Sequence, residues 1–421
     1  MAKSISINKK ISFFKKKTIT VEGDKSLSIR FLLLSSLSNG KCNAKNLLKS
    51  EDVINTINCI KKLGIKIYSN NQNCKVYGKG LKGFNYKKNI ILNAGNSGTL
   101  GRLIIGLLIH SKNDIKIIGD KSLSKRDFSR VIKPLKKFGA KFISNNGKLP
   151  ITIKGTMNSK PIKFFEKKGS AQVKSAVMLA ALNTPGTTII RARRSRDHTE
   201  KMFKFLKIPI QLKATKNYDL IRVTGGKKIK PFNYNIPSDI SSSAFFIVLT
   251  ALSNNSKLKI KNVNINPTRL GILKILKIMG VSIGVKNIKT YKGEKIADLF
   301  IKSQKVFKPI NCPTRLNSAA IDEFLLIFLV AAKANGVSYF KNLSELNQKE
   351  SPRLIWGSKI LNKMGIKTIL TNDSIKIFGN PNLKISKNIV IKNFLKDHRV
   401  FMTSVVAALT FGSNWTISDP G

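Results

Sequence analysis

A helix-ending pattern recurs along the chain at intervals of about 70 to 85 residues. In each copy an apolar helix end reaches a glycine, which an apolar residue follows on the way into a strand. The clear copies place this glycine at Gly64, Gly139, Gly280 and Gly365, and a degenerate copy has Pro209 instead. Glycine is favoured just after a helix because it adopts the left-handed conformation without a steric penalty. The pattern therefore predicts a series of equivalent helix-to-strand connections.

The length of the interval constrains the architecture. It is too long for a solenoid repeat, and it favours a βαβαβ-type unit copied about six times, three copies to a domain. The 421 residues are too many for one ordinary core, so two domains are expected. With 42% hydrophobic residues the chain can bury a sizeable core. We therefore predict an α/β protein of two domains.

Composition excludes several classes of protein. No apolar run approaches the roughly 20 residues of a membrane-spanning helix. Residues 1–17 are basic and lack the apolar segment of a secretory signal. We expect a soluble, cytoplasmic protein with no membrane partner and, with three histidines, no metal centre. The cysteines form no C-x-x-C pair and are expected to be reduced; they are Cys42, Cys59, Cys74 and Cys312.

The formal net charge of +56 raises the question of a polyanionic partner. Nucleic-acid binding is one interpretation. The other is compositional drift, since lysine is scattered through every segment alongside abundant asparagine and isoleucine. Nucleic-acid-binding proteins gather basic residues on one tail or face and interleave them with aromatic side chains. This chain shows no such segregation, so we expect no nucleic-acid partner, although the positive field attracts small anionic substrates.

Residues 93–102 form a small-residue turn between a strand-like run and a helix-like run. The turn contains glycine, asparagine, serine and threonine, and Arg102 lies about one turn into the helix. A helix N-terminus presents backbone N–H groups and the positive end of the helix dipole, which suit an anion. The spacing fits neither the Walker pattern nor the dinucleotide fingerprint. The turn is therefore a candidate anion site, with a plain strand–helix turn as the alternative.

Four more turns of this kind lie in the first half of the chain. Each places hydroxyl residues beside lysine or arginine where a helix is predicted to begin. They span residues 23–30, 119–126, 169–175 and 193–199. One such turn alone is explained as a capped helix with solvated charges, whereas five together indicate convergence on polyanionic ligands.

Carboxylates stand among basic residues in the second half of the chain. Asp322 and Glu323 precede an apolar helix, Glu350 follows a lysine, and Asp397 precedes His398. Only 21 acidic residues occur in the chain, so carboxylates at such places are candidates for acid–base chemistry. The alternative for each of them is a helix-start charge that the helix dipole favours.

Taken in order, these motifs resemble those of the 3-phosphoshikimate 1-carboxyvinyltransferase, or EPSP synthase, family. The resemblance extends from about residue 5 to the end of the chain. It is carried by residues 23–30, 93–102, 122–130, 170–175, 195–200, 237–246, 266–269, 321–323, 349–353 and 397–399. So many motifs in one order make chance a poor explanation.

The resemblance implies the enolpyruvyltransferase fold, an inside-out α/β barrel of two similar domains. Each domain is built from three βαβαββ units, with helices inside and sheets outside. The domain that holds both termini is expected at residues 1–22 plus 238–421, and the continuous domain at residues 23–237. The family's active site lies in the cleft between the domains, where helix N-termini point at two anionic substrates.

The implied reaction belongs to the shikimate pathway of aromatic amino acid biosynthesis. It transfers the enolpyruvyl group of phosphoenolpyruvate to the 5-hydroxyl of shikimate 3-phosphate and releases phosphate, by addition and then elimination. The chemistry needs a base, an acid that protonates the methylene carbon, and cations around the phosphates and carboxylates. It needs no metal and no organic cofactor. The implied partners are the two small substrates, and a monomer is expected.

The family's functional residues carry over to matching positions. For shikimate 3-phosphate these are Lys25, Ser26, Arg30, Ser170, Ala171, Gln172, Ser195, Asp322 and Lys349. For phosphoenolpyruvate they are Lys25, Asn96, Gly98, Thr99, Arg126, Gln172, Arg353, His398 and Arg399. The resemblance implies Asp322 as the base toward the 5-hydroxyl and Glu350 as the proton donor to the methylene, with Lys25 sharing proton transfer. Which of the three groups moves which proton stays open.

The sequence departs from the family's pattern at a few positions. His198 stands where some members carry a tyrosine near the shikimate ring, and Glu345 occurs in only part of the family. Pro352 replaces the usual aspartate before Arg353, and its ring fixes φ and removes an N–H donor. Members normally continue beyond the position of Gly421 with a last strand and helix, often with a lysine that binds phosphoenolpyruvate.

Two rival interpretations share the fold. The sister enolpyruvyltransferase acts on UDP-N-acetylglucosamine and uses a loop with a reactive cysteine or an aspartate in its place. No cysteine of this chain lies in a matching glycine-rich loop, which disfavours that activity. An inactive homologue is the other rival, and the retained motifs argue against it.

Gly98 also bears on inhibition. A methyl group at this position would intrude on a tight anion pocket. With glycine there, we expect glyphosate to enter the phosphoenolpyruvate site and to inhibit competitively.

Overall fold

The structure, a computed structural model, describes residues 3–215 and 217–419. Its α-helices are α1 (Lys25–Ser36), α2 (Glu51–Lys62), α3 (Gly98–Leu108), α4 (Lys121–Ser124), α5 (Ser129–Lys136), α6 (Ala171–Ala181), α7 (His198–Phe205), α8 (Ile240–Leu252), α9 (Gly271–Ile278), α10 (Asn317–Ala320), α11 (Phe324–Ala332), α12 (Arg353–Lys363) and α13 (His398–Phe411). Short 3-10 helices occupy Pro267–Arg269, Thr314–Leu316 and Ser344–Gln348. The five anion-site turns predicted from the sequence all lie where one of these helices begins.

Strands fill most of the sequence between the helices. They are β1 (Lys3–Ile7), β2 (Lys17–Ile19), β3 (Asn39–Lys45), β4 (Lys66–Asn70), β5 (Asn73–Lys79), β6 (Ile90–Asn93), β7 (Ile115–Ile118), β8 (Lys141–Asn145), β9 (Lys148–Lys154), β10 (Lys163–Glu166), β11 (Thr187–Arg193), β12 (Ile210–Ala214), β13 (Tyr218–Thr224), β14 (Asn233–Asn235), β15 (Lys257–Asn264), β16 (Ser282–Tyr291), β17 (Glu294–Lys302), β18 (Gly336–Phe340), β19 (Thr368–Leu370), β20 (Ile375–Gly379), β21 (Ile389–Lys392) and β22 (Trp415–Asp419).

The chain folds into two compact units. The central unit contains residues 22–237 and 290–294. The terminal unit contains the described residues of segments 1–21, 238–289 and 295–421. Each unit has its own hydrophobic core. The sequence did not predict that residues 290–294 belong to the central unit.

Each unit carries three sheets, counted over the residues that the structure describes, and the three sheets of the central unit share one design. In the central unit the strand orders are β14-β3-β5-β4, β6-β7-β9-β8 and β10-β11-β13-β12. In each of these sheets the first pair is parallel and the next two pairs are antiparallel. The terminal unit has the orders β16-β17-β15-β2, β18-β20-β19 and β1-β22-β21. The repeat of about six copies, three to a domain, is therefore confirmed.

Apolar helices form the inside of each unit. All nine residues of α11 are buried, as are ten of the twelve residues of α1. A helix that is apolar all round must be covered on every side, and here other helices and the sheets cover it. Strands β9 and β11 alternate buried and more exposed residues, so one face of their sheets points to solvent. Helices inside and sheets outside follow from this pattern of hydrophobicity.

Glycines end the helices as the repeat predicts. Gly64, Gly139, Gly280 and Gly365 have φ of 85°, 108°, 88° and 89°. The prediction for the degenerate copy is wrong, because α7 ends at Phe205 and the left-handed residue is Lys207, with φ of 55°. A lysine in this conformation has a steric cost of roughly 1–2 kcal/mol.

The four cysteines are buried free thiols in the described part of the chain. Burial raises the pKa of Cys59 and of Cys74 to about 12, and that of Cys312 to about 11. Burial also raises the pKa of Cys42. None of the helices in residues 3–215 and 217–419 is long and apolar enough to cross a membrane.

Candidate functional site

Three of the five predicted anion motifs of the central unit lie at the N-termini of the inner helices α1, α3 and α6. Asp24 caps α1 by accepting a hydrogen bond from the Leu27 N–H at 2.9 Å. Ser97 caps α3 and Ser170 caps α6 in the same way. These caps hold helix starts at which the dipole favours an anion. Helices α1 and α3 are in contact, and so are α3 and α6.

Arg30 is the centre of the first polar cluster. Its Nε donates to Thr199 Oγ1 at 2.7 Å, its Nη2 to Ser175 Oγ at 3.0 Å, and its Nη1 to the Ser26 carbonyl at 3.0 Å. The Thr199 and Ser175 hydroxyls also bond to each other at 2.7 Å. Burial lowers the pKa of Arg30 to about 10, against the opposing field of Glu200. Arg30 is therefore a charged, oriented side chain at neutral pH.

A second cluster joins α3 to the start of α6. Arg102 Nη1 donates to Gln172 Oε1 at 2.8 Å, and Gln172 Nε2 donates to Thr99 Oγ1 at 3.0 Å. Nearby, Arg126 Nη2 donates to Asn96 Oδ1 at 3.1 Å. The structure thus brings together residues predicted to bind phosphoenolpyruvate. It adds Arg102, which the sequence analysis noted in its motif but did not assign to a substrate.

Gly98 allows two arginines to approach the start of α3. A Cβ at this position would lie 2.9 Å from Arg102 Nη1 and 3.0 Å from Arg126 Nη1. Real Cβ atoms essentially never come so close without displacing a neighbour. The lack of a side chain at Gly98 therefore gives the space that two guanidinium groups occupy beside a helix N-terminus, an arrangement suited to a small anion.

The turn before α6 is held by a buried carboxylate. Glu166 Oε2 accepts from the Ser170 N–H at 2.8 Å, and its Oε1 accepts from the Lys168 N–H at 3.2 Å. Ser195 Oγ is buried and has no hydrogen-bond partner among the residues that the structure describes. A buried hydroxyl normally finds a partner, so Ser195 has an unused capacity to bind a ligand.

Two residues singled out from the sequence make contacts that the sequence does not reveal. Lys25 Nζ lies 3.5 Å from Asp52 Oδ2, and both side chains are partly exposed. His198 is fully buried, and its Nδ1 lies 2.7 Å from Oε1 of the buried Glu294. Glu294 belongs to the short segment 290–294 of the central unit. His198 is thus anchored by a carboxylate distant in sequence.

In the terminal unit, Arg353 joins the predicted catalytic carboxylates. Its Nε donates to Asp397 Oδ2 at 2.9 Å, its Nη1 lies 3.6 Å from Asp322 Oδ1, and its Nη2 pairs with Glu350. Burial acts to lower the pKa of Arg353, but Glu350, Asp397 and Asp322 raise it above its ordinary value. A permanently charged arginine therefore fixes three carboxylates in one cluster.

Asp397 is the buried counter-charge of this cluster and also caps α13. Its Oδ1 accepts from the Arg399 N–H at 2.9 Å, and its Oδ2 accepts from Ser351 Oγ at 2.9 Å. Burial acts to raise the pKa of Asp397, but the Arg353 guanidinium outweighs burial and holds the pKa below its usual range. The carboxylate is therefore charged, and it orients Arg353 and the start of α13 together.

Asp322 and Glu323 connect the remaining predicted residues. Asp322 Oδ1 lies 3.5 Å from Lys349 Nζ, and the Asp322 carbonyl accepts from Arg399 Nη1 at 2.8 Å. Glu323 Oε1 lies 3.7 Å from Arg399 Nη1 and accepts from Ser241 Oγ at 2.5 Å. Two side chains predicted for the substrates, Lys349 and Arg399, are thus held beside the predicted base.

The network extends to residues that the sequence analysis did not assign. Arg269 Nη2 donates to Ser241 Oγ at 2.6 Å and to Asp239 Oδ1 at 3.1 Å. Both partners lie at the start of α8, and Arg269 ends the 3-10 helix Pro267–Arg269. These residues belong to the motifs at 237–246 and 266–269, which the sequence analysis identified. Nothing in either motif predicts that its side chains contact those of the other.

The two units differ in chemical capacity. The central unit places arginines and hydroxyls at helix N-termini, which can bind phosphate and carboxylate groups. In the terminal unit Asp322 and Glu350 both contact Arg353, and Lys349 lies beside Asp322. This arrangement of carboxylates and cations suits proton transfer. Among the residues that the structure describes, no group of three or more His, Cys, Asp or Glu side chains could hold a metal ion.

Comparison with known proteins gives consistent matches. The model of the EPSP synthase (3-phosphoshikimate 1-carboxyvinyltransferase) family matches residues 14–421. The 3-phosphoshikimate 1-carboxyvinyltransferase of Ruthia magnifica subsp. Calyptogena magnifica is 41% identical over 393 residues, 93% of this chain and 88% of that protein. That of Petrotoga mobilis is 39% identical over 396 residues, 93% of this chain and 90% of that protein. A solved EPSP synthase from Acinetobacter baumannii aligns with a TM-score of 0.86 at 34% identity, over 99% of this chain and 94% of that chain.

Proposed function

Because this chain belongs to the EPSP synthase family and transfers the enolpyruvyl group of phosphoenolpyruvate to shikimate 3-phosphate, we propose that the polar clusters of its two units have different tasks. The clusters of the central unit bind the anionic groups of the substrates. The Arg353 cluster of the terminal unit carries out proton transfer and completes the binding of phosphoenolpyruvate. The observation that carries this proposal is that one buried arginine contacts both Asp322 and Glu350.

Shikimate 3-phosphate is bound by hydroxyl, amide and cationic groups. Arg30 supports this role because its contacts to Ser175 and Thr199 fix its guanidinium. Ser195 supports it because its buried hydroxyl has no partner among the described residues. The proposed set is Lys25, Ser26, Arg30, Ser170, Ala171, Gln172, Ser195, Asp322 and Lys349.

Phosphoenolpyruvate is bound by the arginines and by the turn that begins α3. The space at Gly98 is flanked by Arg102 and Arg126, which supports an anion there. Gln172 is held by Arg102 and Thr99, and it is proposed to bind both substrates. The proposed set is Lys25, Asn96, Gly98, Thr99, Arg126, Gln172, Arg353, His398 and Arg399.

Proton transfer is assigned to Asp322, Glu350 and Lys25. In the addition step the 5-hydroxyl oxygen forms a bond to carbon 2 of phosphoenolpyruvate while Asp322 accepts the hydroxyl proton. Glu350 donates a proton to the methylene carbon, which becomes a methyl group. In the elimination step the Glu350 carboxylate takes a proton back from that methyl group and the carbon–carbon double bond re-forms. The bond from carbon 2 to the phosphate oxygen breaks, and the leaving phosphate keeps its electron pair and takes up the proton that Asp322 accepted. Positioned acids and bases of this kind contribute about 10²- to 10⁴-fold to rate.

Phosphate release tests the proposal. The protein is assayed with both substrates and then with each substrate omitted, and release that requires both is expected. Asp322→Asn and Glu350→Gln are assayed in parallel, and each is expected to lower kcat while the protein still binds both substrates. Unchanged turnover in either variant would remove that residue from the mechanism.

The protein is further proposed to act as a cytoplasmic monomer without a nucleic-acid or membrane partner. Because the net charge is +56, the absence of a nucleic-acid partner needs a direct test. Light scattering behind a sizing column measures the mass in solution, and one chain of 46.8 kDa is expected. Filter binding of duplex DNA and of RNA at two salt concentrations is expected to show only weak, salt-sensitive retention. Tight binding that survives the higher salt would contradict the proposal.

A further inference from the structure

A buried ion pair joins α6 to α7 in the central unit. Lys174 Nζ lies 2.5 Å from Glu200 Oε1, with 0% and 4% of the two side chains exposed. Removing two charges from water carries a desolvation penalty, and apolar replacements of buried ion pairs are often neutral or stabilising. Stability alone is therefore a poor explanation for this pair.

The pair is adjacent to the contacts that hold Arg30. Lys174 directly precedes Ser175, and Glu200 directly follows Thr199. The hydroxyls of Ser175 and Thr199 accept from Arg30 and bond to each other at 2.7 Å. The ion pair and the hydroxyl pair thus connect the same two helices at neighbouring residues. A shift of α6 would displace the Ser175 acceptor of Arg30, and a shift of α7 would displace the Thr199 acceptor.

Glu200 also supplies a charge that this part of the core needs. Lys174 and Arg30 are two buried cations on neighbouring elements of the same unit. The field of Glu200 acts on Arg30, and Glu200 Oε2 has no hydrogen-bond partner among the described residues. Without the Glu200 charge, the Lys174 ammonium would be a buried, unpaired cation close to the residues that hold Arg30.

We propose that Lys174 and Glu200 form a positioning pair that holds Arg30 ready for the phosphorylated substrate. The proposal rests on the assignment of Arg30 to shikimate 3-phosphate made above. The described contacts of Arg30 use three of the five N–H donors of its guanidinium, so two donors are left in a fixed direction for a substrate oxygen. Neither Lys174 nor Glu200 needs to touch the substrate for this role.

The test is the steady-state kinetics of Glu200→Gln, which keeps the size of the side chain and removes its charge. The KM for shikimate 3-phosphate is expected to rise by about 10-fold, with kcat and the KM for phosphoenolpyruvate changed by less than about twofold. Adding Lys174→Met to this variant removes the unpaired ammonium. The double variant is expected to recover part of the lost affinity, because residues of one network are not additive.

A matched control is an ion pair in the terminal unit that has no assigned role in binding. Asp298 Oδ2 lies 3.0 Å from Lys259 Nζ, and Asp298 Oδ1 accepts from the Asn262 N–H at 3.0 Å. Asp298→Asn is expected to change the thermal midpoint without changing either KM. A Glu200→Gln variant that behaves in the same way would overturn the proposal, since it would show a purely structural pair.

Arg30→Lys separates failure of the inference from failure of its premise. An unchanged KM for shikimate 3-phosphate in Arg30→Lys would overturn the assignment of Arg30, and the positioning role with it. A raised KM in Arg30→Lys with an unchanged KM in Glu200→Gln would overturn the positioning role alone. Should Glu200→Gln fail to fold, Glu200→Asp and Lys174→Met are measured instead. An equal rise of both KM values in those variants would contradict the inference.

Discussion

Nε of Arg353 lies 2.9 Å from Oδ2 of Asp397, and at most 2% of either side chain is exposed. The same aspartate caps α13 through its other oxygen, which accepts from the Arg399 N–H. Arg353 in turn contacts Glu350 and Asp322. One buried carboxylate therefore determines the positions of two arginines that are proposed to bind phosphoenolpyruvate.

Replacing Asp397 is expected to destabilise the protein strongly. Asp397→Ala removes the partner of a buried arginine, a change that typically costs about 3–5 kcal/mol. Asp397→Asn keeps a side chain that can cap α13, so its loss is expected to be about 1 kcal/mol smaller. Urea denaturation followed by circular dichroism measures both values. Midpoints equal to that of the wild type would show that Arg353 is satisfied by its other partners.

The pH dependence of this effect follows from the lowered pKa of Asp397. Since the folded-state pKa lies below the unfolded-state value of about 3.9, ionised Asp397 stabilises the fold above that pH. This contribution is lost as the pH falls through the folded-state pKa. The difference in free energy of unfolding between wild type and Asp397→Asn is therefore expected to be largest near neutral pH and to shrink in acid. A difference that is constant with pH would contradict the charge-based explanation.

Glu350→Gln is expected to abolish most turnover while binding remains. The change removes the proposed proton donor but keeps its volume beside Arg353. We expect kcat to fall by about 10²- to 10⁴-fold, with dissociation constants for both substrates changed only slightly. Phosphate release measures kcat, and isothermal titration measures binding. Asp114→Asn, at a side chain that is 44% exposed and paired with Lys154, is the matched control for loss of one carboxylate.

Local sequence patterns predicted the repeated units well and the pairing of their side chains poorly. The glycines after helices follow from backbone sterics within a few residues, which a sequence displays directly. At the degenerate copy the left-handed residue is Lys207, two positions before the proline at 209. Lysine is not enriched in the left-handed region, so nothing in the local sequence marks residue 207 as the end of the helix.

The side-chain contacts of the candidate site could not be predicted from local sequence patterns. Arg30 meets Thr199 across 169 residues, and Ser241 meets Glu323 across 82 residues. No periodicity connects such distant positions, so the residues of each motif were predictable but their partners were not. The resemblance to a family supplied the roles of single residues, and the structure supplied the arginine that links them.

The cysteines are expected to resist modification in the folded protein. All four thiols are buried, and burial raises their pKa values, so little reactive thiolate is present at neutral pH. Ellman's reagent is expected to react with essentially no thiol in native protein and with four thiols per chain in guanidinium chloride. Prompt reaction of one thiol in the native protein would show that burial does not protect that thiol.

Gly98→Ala is expected to weaken the binding of phosphoenolpyruvate and of glyphosate. The added methyl group would lie 2.9 Å from Arg102 Nη1 and 3.0 Å from Arg126 Nη1, so one of the two guanidinium groups must move. Both atoms are ends of side chains, so the backbone need not shift and the cost falls on the orientation of the two guanidinium groups. We therefore expect the KM for phosphoenolpyruvate and the inhibition constant of glyphosate to rise together, with the KM for shikimate 3-phosphate nearly unchanged.

Gly284→Ala is the matched control for this substitution. A Cβ there would lie 3.5 Å from the Phe300 Cβ, an ordinary contact in the sheet of the terminal unit. It is expected to leave both KM values and the inhibition constant unchanged. A Gly98→Ala variant with wild-type inhibition would show that the two arginines move apart without loss of affinity. Inhibition of the wild type that is absent at high glyphosate would instead remove the inhibitor from this site.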